Sequence, residues 1–403
     1  MSSNRWTSYK LGDIVNDVAM GPFGSNIKTD NFISTGVPVI RGSNLNDGGF
    51  DDKYFVYISE EKAQSLKRSL AYPDDLVFTH RGTIGQVGII PHDKHPKYLV
   101  SQSQMRLTVN KDFLAPRFLY YFFKSHIGQY ELLKNSSQVG VPAIASPTRS
   151  LKEVDINIPS LTIQNHIASI LSSLDDKIEL NRQTNQTLES IAQALFKEWF
   201  VDFNFPGATG EMQESELGKI PHGWKVGTIG NILNFKNGKS SPKRDEHFEY
   251  PVYGANGKIG FAETYNSKPK NIVVGRVGSF CGALYYTLEN SFVTENAIIA
   301  EGKADDSSMF SFFVLQSLNL NNHKVGSGQP LLNQSILSSL KIILPSYEII
   351  ERFEKISLSI FYKITHNERQ IQTLIQLRDT LLPKLMKGEI DVFQAQTQTA
   401  AYI

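Results

Sequence analysis

Two stretches of the chain carry a long helical period without interruption. From Leu161 to Phe203 there is neither Gly nor Pro, and the same holds from Ser346 to Leu382. Both exceed ordinary globular helices and predict coiled-coil partners. Along the first, Ile167, Leu171, Leu174, Ile178, Asn181, Asn185, Leu188, Ala192, Leu195 and Trp199 fall at alternating steps of four and three, the a/d seam of a coiled coil. The second supplies Phe353, Ser357, Ile360, Ile364, Asn367, Ile371, Leu374, Arg378 and Leu381, with Ser357 and Arg378 as blemishes.

The two helices belong to an internal repeat. Ahead of each, a strand-like alternation ends in Pro-Ser: Leu151 to Pro159-Ser160, and Leu337 to Pro345-Ser346. The prolines lie 186 positions apart (345 less 159), and that offset aligns Asn181 with Asn367, Gln186-Thr187-Leu188 with Gln372-Thr373-Leu374 and Leu195 with Leu381 without a gap. Near the start of each half, Trp6-x4-Leu11-Gly12-Asp13-Ile14 matches Trp224-x4-Ile229-Gly230-Asn231-Ile232 at an offset of 218 (224 less 6), so the first globular region is longer by 32 residues (218 less 186). The expected fold is α+β: two mixed α/β domains, 1–158 and 223–344, separated by two long helices, 159–203 and 345–387, that pair as an antiparallel coiled coil with pseudo-twofold symmetry. Residues 204–222, turn-forming and then acidic, read as a linker, and the polar tail 388–403 is expected to fray. In such a pair, the equivalent seam residues Asn181 and Asn367 are expected to face each other.

Composition narrows the class. Aromatic residues make up 11% and charged residues 20%, which suits folded domains, and 403 residues suffice for two. The single cysteine, Cys281, excludes a disulfide framework within the chain and fits a reducing cytoplasm. No stretch approaches the roughly 20 apolar residues that cross a bilayer. A formal net charge of +1 excludes bulk coating of nucleic acid, so any DNA binding has to be local or shared with a partner.

Catalytic patterns are missing. Gly238-Lys239-Ser240 ends like a phosphate-binding loop, but position 233 is Leu where the first glycine belongs. No Gly-x-Gly-x-x-Gly follows a strand, and no Asn/Asp-Pro-Pro-Tyr/Phe tetrapeptide is present. Pro73-Asp74-Asp75 reads as a turn, and His92-x-x-His95 as a solvated loop without a third metal ligand.

Polar, glycine-containing loops recur in both halves. The first holds Ser25 and Asn26, then Arg41, Ser43 and Asn44, then Thr79, His80, Arg81, Thr83 and Gln86, then Gln102 and Gln104. The second holds Tyr253 and Asn256, Arg276 and Ser279, Glu295 and Asn296, and Gln329. Arg can donate bidentately to guanine and Asn or Gln can pair with adenine, while glycine lets the backbone approach a groove. Any one of these loops alone reads as an ordinary turn; their recurrence makes them candidate DNA-binding residues.

In order along the chain, the Trp-x4-Leu-Gly-type openings, the Pro159-Ser160 and Pro345-Ser346 helix starts, the run Leu195-Phe196-Lys197-Glu198-Trp199-Phe200-Val201-Asp202-Phe203 leading to Gly218-Lys219-Ile220-Pro221-His222-Gly223-Trp224, and the ending Leu381-Leu382-Pro383-Lys384-Leu385-Met386-Lys387-Gly388-Glu389-Ile390 resemble a type I restriction-modification specificity subunit. The resemblance implies two target-recognition domains, each reading one half of a bipartite double-stranded DNA site. It also implies helices that dock DNA adenine methyltransferase subunits, and a restriction and translocase subunit joining that core. S-adenosylmethionine, ATP and Mg would belong to those partners, leaving this chain non-catalytic and without a cofactor or metal of its own. The alternatives are a coiled-coil scaffold that binds proteins without reading DNA, and a self-sufficient methyltransferase or nuclease with a divergent active site.

Overall fold

The alternation Asp155-Ile156-Asn157-Ile158 forms a strand with both isoleucines buried, and it pairs antiparallel with Thr7–Lys10. The pairing joins the start of the first globule to the residues just before the first long helix. Lys225–Thr228 and Lys341–Leu344 repeat the arrangement ahead of the second. The structure, a computed structural model, describes residues 6–46, 49–50, 55–304, 307–325 and 331–403. It divides into two compact units, Met1–Asn181 with Gln370–Ile403, and Arg182–Arg369.

Besides two-stranded pairs, each unit holds two larger sheets whose corresponding strands run in the same order. In unit 1 an antiparallel sheet runs Val15–Met20, Gln104–Val109, Leu76–Thr79, Val87–Ile89. The other runs Val56–Ile58, Val37–Ile40, Tyr98–Val100, Leu70–Ala71, with its central pair parallel. In unit 2 the first sheet is Leu233–Asn237, Ala297–Gly302, Asn271–Gly275, Leu284–Thr287. The second is Gly257–Ala262, Tyr250–Gly254, Phe292–Val293, and Tyr250–Gly254 and Phe292–Val293 are again parallel. The repeat read at the ends of each half thus runs through the whole of it, in mixed α/β domains.

In each unit one of the helices that pack on this frame has its apolar run buried on every side, as expected of a core helix. In unit 1 it is Pro116–Lys124, opened by a proline at its first position; in unit 2 it is Ser308–Ser317. A long-helix side chain holds the amino end of each. Gln164 accepts from the Ala115 amide at 2.9 Å and donates to the Phe113 and Pro159 carbonyls at 2.9 and 3.0 Å. Glu354, 2% exposed, accepts from the Ser308 hydroxyl at 2.7 Å and from the Met309 and Phe310 amides at 2.9 and 3.3 Å. These are the amides that a helix start leaves without an internal partner. Burial nevertheless outweighs those bonds and holds the Glu354 carboxyl above its ordinary value.

The long helices run Leu161–Phe196, continued by a π turn at Lys197–Val201, and Tyr347–Lys387. Each gives one part to each unit, and within a unit the two parts are antiparallel: in unit 1 Arg378 meets Asp175 and Gln370 meets Asn181, while in unit 2 Asn367 meets Asn185. The expected seam is inside. Leu171, Leu174, Ile178, Ile371 and Leu374 are buried in unit 1, Ile364 is buried in unit 2, and Leu188 and Ile360 there are half-buried. Of the two blemishes, Arg378 donates to Asp175 at 2.8 Å, and Asp175 also accepts from Tyr121 at 2.7 Å. Ser357 is buried with no partner for its hydroxyl among the described residues.

The expected Asn181–Asn367 pair does not form. Asn181 donates to Gln370 at 2.9 Å, and Asn367 to Asn185 at 2.8 Å, with Asn185 donating in turn to the Ile364 carbonyl at 3.3 Å. Asn181 meets a residue three beyond Asn367, and Asn367 one four beyond Asn181, so equivalent positions would coincide about two residues further along. Buried amides still sit in the seam, but each finds a different partner. Two further expectations change. The tail is not frayed: Val392–Ala400 is a helix capped by Asp391, with Val392 and Ala395 buried and Phe393 against His166. Inside 204–222, Met212–Ser215 and Gly218–Pro221 pair as a hairpin.

Candidate nucleic-acid interface

The hydrogen-bond register sets the two units side by side, residue for residue. In unit 1 the Gln104 amide closes a turn on the Ser101 carbonyl at 3.0 Å, His80 donates its amide to Ser103 at 2.9 Å, and Gly21 donates to Gln104 at 2.8 Å. In unit 2 Ala297 closes on Thr294 at 3.0 Å, Arg276 donates to Asn296 at 3.0 Å, and Gly238 donates to Ala297 at 3.1 Å. Ser101 is tied to Ile40, and Thr294 to Tyr253, each at 2.9 Å. Gln102 therefore corresponds to Glu295, His80 to Arg276 and Gly21 to Gly238. Both glycines are required by close approach: a Cβ would stand 1.8 Å from the Ser101 oxygen or 2.1 Å from the Thr294 oxygen.

These bonds gather the predicted loops at one end of each sheet. In unit 1, Asn26, Ser43, Arg81, Thr83 and Gln102 are exposed, and Arg41 is half-buried. The side chain of Ser25 and all of Gln329 lie outside the described residues. In unit 2, Asn256, Ser279, Glu295 and Asn296 are exposed, and Arg276 is half-buried. The Arg276 guanidinium has no hydrogen-bond or ion-pair partner among the described residues, and its Nε is buried. Tyr253 is half-buried beside Tyr285, and burial pushes its phenol up to about 12, so the hydroxyl stays protonated.

Other expected readers point inward, which corrects the view that they are presented for contact. Asn44 caps the turn at the Arg41 amide at 3.0 Å. Thr79 donates to Gln86 at 2.9 Å, and Gln86 donates to the Gly42 and Leu45 carbonyls at 3.2 and 2.7 Å. Gln104 bonds Thr79 at 3.3 Å and accepts from Ser101. His80 is buried, with Nε2 3.2 Å from the Gln102 carbonyl; burial lowers its pKa and keeps the ring neutral at pH 7. Polar sequence marked these residues, but polarity does not separate a loop's internal bonding from its outward face. Sequence reasoning weighed only the polar neighbours of Phe23, whose side chain is 77% exposed in the same loop.

Among the described residues, the arrangement presents exposed polar side chains and the Arg276 guanidinium on hydrogen-bonded turns. A sequence profile described as type I restriction modification DNA specificity domain matches residues 4–190 and 221–377. The MjaIX type I restriction enzyme specificity subunit of Methanocaldococcus jannaschii is 31% identical over 367 residues, covering 83% of this chain and 82% of that protein. The HindI specificity subunit of Haemophilus influenzae is 26% identical, covering 96% and 99%. In fold, the chain is similar to the crystal structure of a type I restriction-modification S subunit from M. genitalium, with a TM-score of 0.69 at 20% identity over 96% of this chain and 97% of that one. With both halves matched and the duplicated sheets in place, this chain belongs to the family of type I restriction-modification specificity subunits.

Proposed function

We propose that the chain is the non-catalytic, sequence-reading subunit of a type I restriction-modification complex, with one half of a bipartite DNA site read by the loop cluster of each unit. The observation that carries this is the repeated cluster: the same turn, at the same end of an identically ordered sheet, exposes different polar groups in the two units. The recognition domains are assigned to 1–158 and 223–344, the spacer helices to 159–203 and 345–387, with 204–222 as linker and 388–403 as tail. Arg81, Gln102, Asn256, Arg276 and Asn296 are the leading candidates for base or phosphate contact. Adenine methyltransferase subunits docked on the helices would supply S-adenosylmethionine chemistry, and a restriction subunit ATP- and Mg-dependent cleavage, in the cytoplasm.

A net charge of +1 supports a shared clamp, since phosphate neutralisation dominates affinity and needs more basic surface than this. The isolated chain is expected to bind DNA weakly, and its partners to raise affinity and steepen the salt dependence. The test exchanges residues 6–158 for those of a relative with another specificity and maps methylated adenines. One half-site should change and the other persist; an unchanged motif would refute modular reading. A protein-binding scaffold predicts no DNA retention even with methyltransferase present, and a self-sufficient enzyme predicts methylation or cleavage by the purified chain.

A further inference from the structure

The matched turn carries opposite chemistry in the two units. Counting from the paired glycines and turns, Phe23 corresponds to Ser240 and Gln102 to Glu295. At these positions unit 1 offers a neutral amide and an apolar ring, and unit 2 a carboxylate and a hydroxyl. All four are exposed, and neither Gln102 nor Glu295 has a side-chain partner among the described residues.

The backbone that presents Phe23 is held in place. Pro22 before it is buried, the Phe23 carbonyl accepts from the Asn26 amide at 2.8 Å, and Gly21 is pressed against Ser101. Gln102 lies alongside: its Oε1 comes within 2.6 Å of where a Cβ on Gly24 would stand, and neutral His80 pins its carbonyl. A ring and an amide presented by these two adjoining turns match one object on the floor of the major groove. An A·T pair shows adenine N7 and N6 to an amide and places the thymine C5 methyl, the floor's apolar group, beside them. A carboxylate can only accept, and phosphates repel it, so an exposed Glu295 on a DNA-facing turn calls for a base donor; cytosine N4 is the fit.

We propose that this turn selects one base pair in each half-site: Gln102 with Phe23 takes an A·T pair through unit 1, and Glu295 takes the cytosine of a C·G pair through unit 2. The inference rests on the DNA-reading function above. The test uses the full chain assembled with its methyltransferase subunits, methylating a randomised duplex library that is then sequenced. Gln102→Ala should relax one A·T pair of one half-site by roughly 5- to 150-fold, and Glu295→Gln should move one C·G pair of the other half-site toward A·T. Replacing thymine by deoxyuridine at the first pair should slow the parent about fourfold, the worth of one buried methyl group, and should not slow Phe23→Ala further. In each variant the untouched half-site keeps its preference, which reports a folded chain. Unaltered preferences in the Gln102 and Glu295 variants, undiminished deoxyuridine sensitivity in Phe23→Ala, or losses uniform across sequences with a shallower salt slope would overturn the proposal. A parent complex with no sequence preference at all would instead overturn the function on which it rests.

Discussion

Replacing Asn367 by leucine removes the donor that bonds the Asn185 Oδ1 at 2.8 Å, while the Asn185 Nδ2 keeps its 3.3 Å bond to the Ile364 carbonyl. Both amides are buried, so water does not readily take the vacated place. Stranding one buried polar group costs about 1–3 kcal/mol. The added apolar surface of leucine offsets part of that, at about 0.8 kcal/mol per buried CH2. The net expectation is a loss of about 1–2 kcal/mol for Asn367→Leu. Asn185→Leu should lose at least as much, because it also strands the Asn367 Nδ2. With both replaced, no orphan remains and the layer becomes an ordinary apolar seam, so the double variant should be as stable as the parent or more so. The cycle therefore predicts a coupling of about 2–4 kcal/mol between two contacting residues, the sum of the two single losses that the double variant does not show. Urea titrations of the full chain followed by far-UV circular dichroism, read at constant m-value, measure it. Single variants as stable as the parent, or losses that simply add in the double variant, would show that the bonded amides do not act as a pair.

Ser357→Ala should raise stability by about 1 kcal/mol in the same titration, since it removes a buried hydroxyl without a partner among the described residues. Gln164→Leu should cost at least about 2 kcal/mol, because it strands the Ala115 amide and the Phe113 and Pro159 carbonyls together. Glu354 gives a signed pH test: burial first, against its three hydrogen bonds, raises its folded pKa above the model-peptide value of 4.5. The stability tied to its protonated form is full below that value and is lost as pH rises through the folded pKa. The parent should therefore lose stability relative to Glu354→Gln between acid and neutral pH, and a urea-midpoint difference that is flat or opposite in sign across that range would contradict it.

The long helices and their seam were legible because a heptad leaves its mark at every third or fourth residue, and the Pro-Ser boundaries fixed where each begins. The duplicated sheets were legible only at their ends. Short strands such as Tyr98–Val100 and Phe292–Val293 correspond through their bonds to Val37–Ile40 and Tyr250–Gly254, which a linear comparison does not see. The Asn181–Asn367 pair failed for a related reason: the repeat offset fixes which residues are equivalent, while side-chain packing fixes where antiparallel helices cross. In the loops, composition marked polar segments but could not divide them, because Gln86 and Gln104 are built into the frame whereas Gln102 is exposed. The tail misled because its glutamines and threonines mask Val392 and Ala395, which the rest of unit 1 covers.

The division of the long helices between the units bears on how the chain is made. Unit 2 is one continuous stretch, Arg182–Arg369, whereas the core of unit 1 includes Leu374, Leu381, Leu385, Met386, Val392 and Ala395 from the last 34 residues. On the ribosome, the first globule emerges and then waits through the 188 residues of unit 2 (369 less 181), roughly 10–40 s at about 5–20 residues per second, before its missing wall begins to arrive. The part synthesised first is thus the part completed last. Through that interval the apolar faces of Leu171, Leu174 and Ile178 stand open in the nascent chain, so unit 1, rather than unit 2, is where chaperone demand and misassembly during synthesis should concentrate.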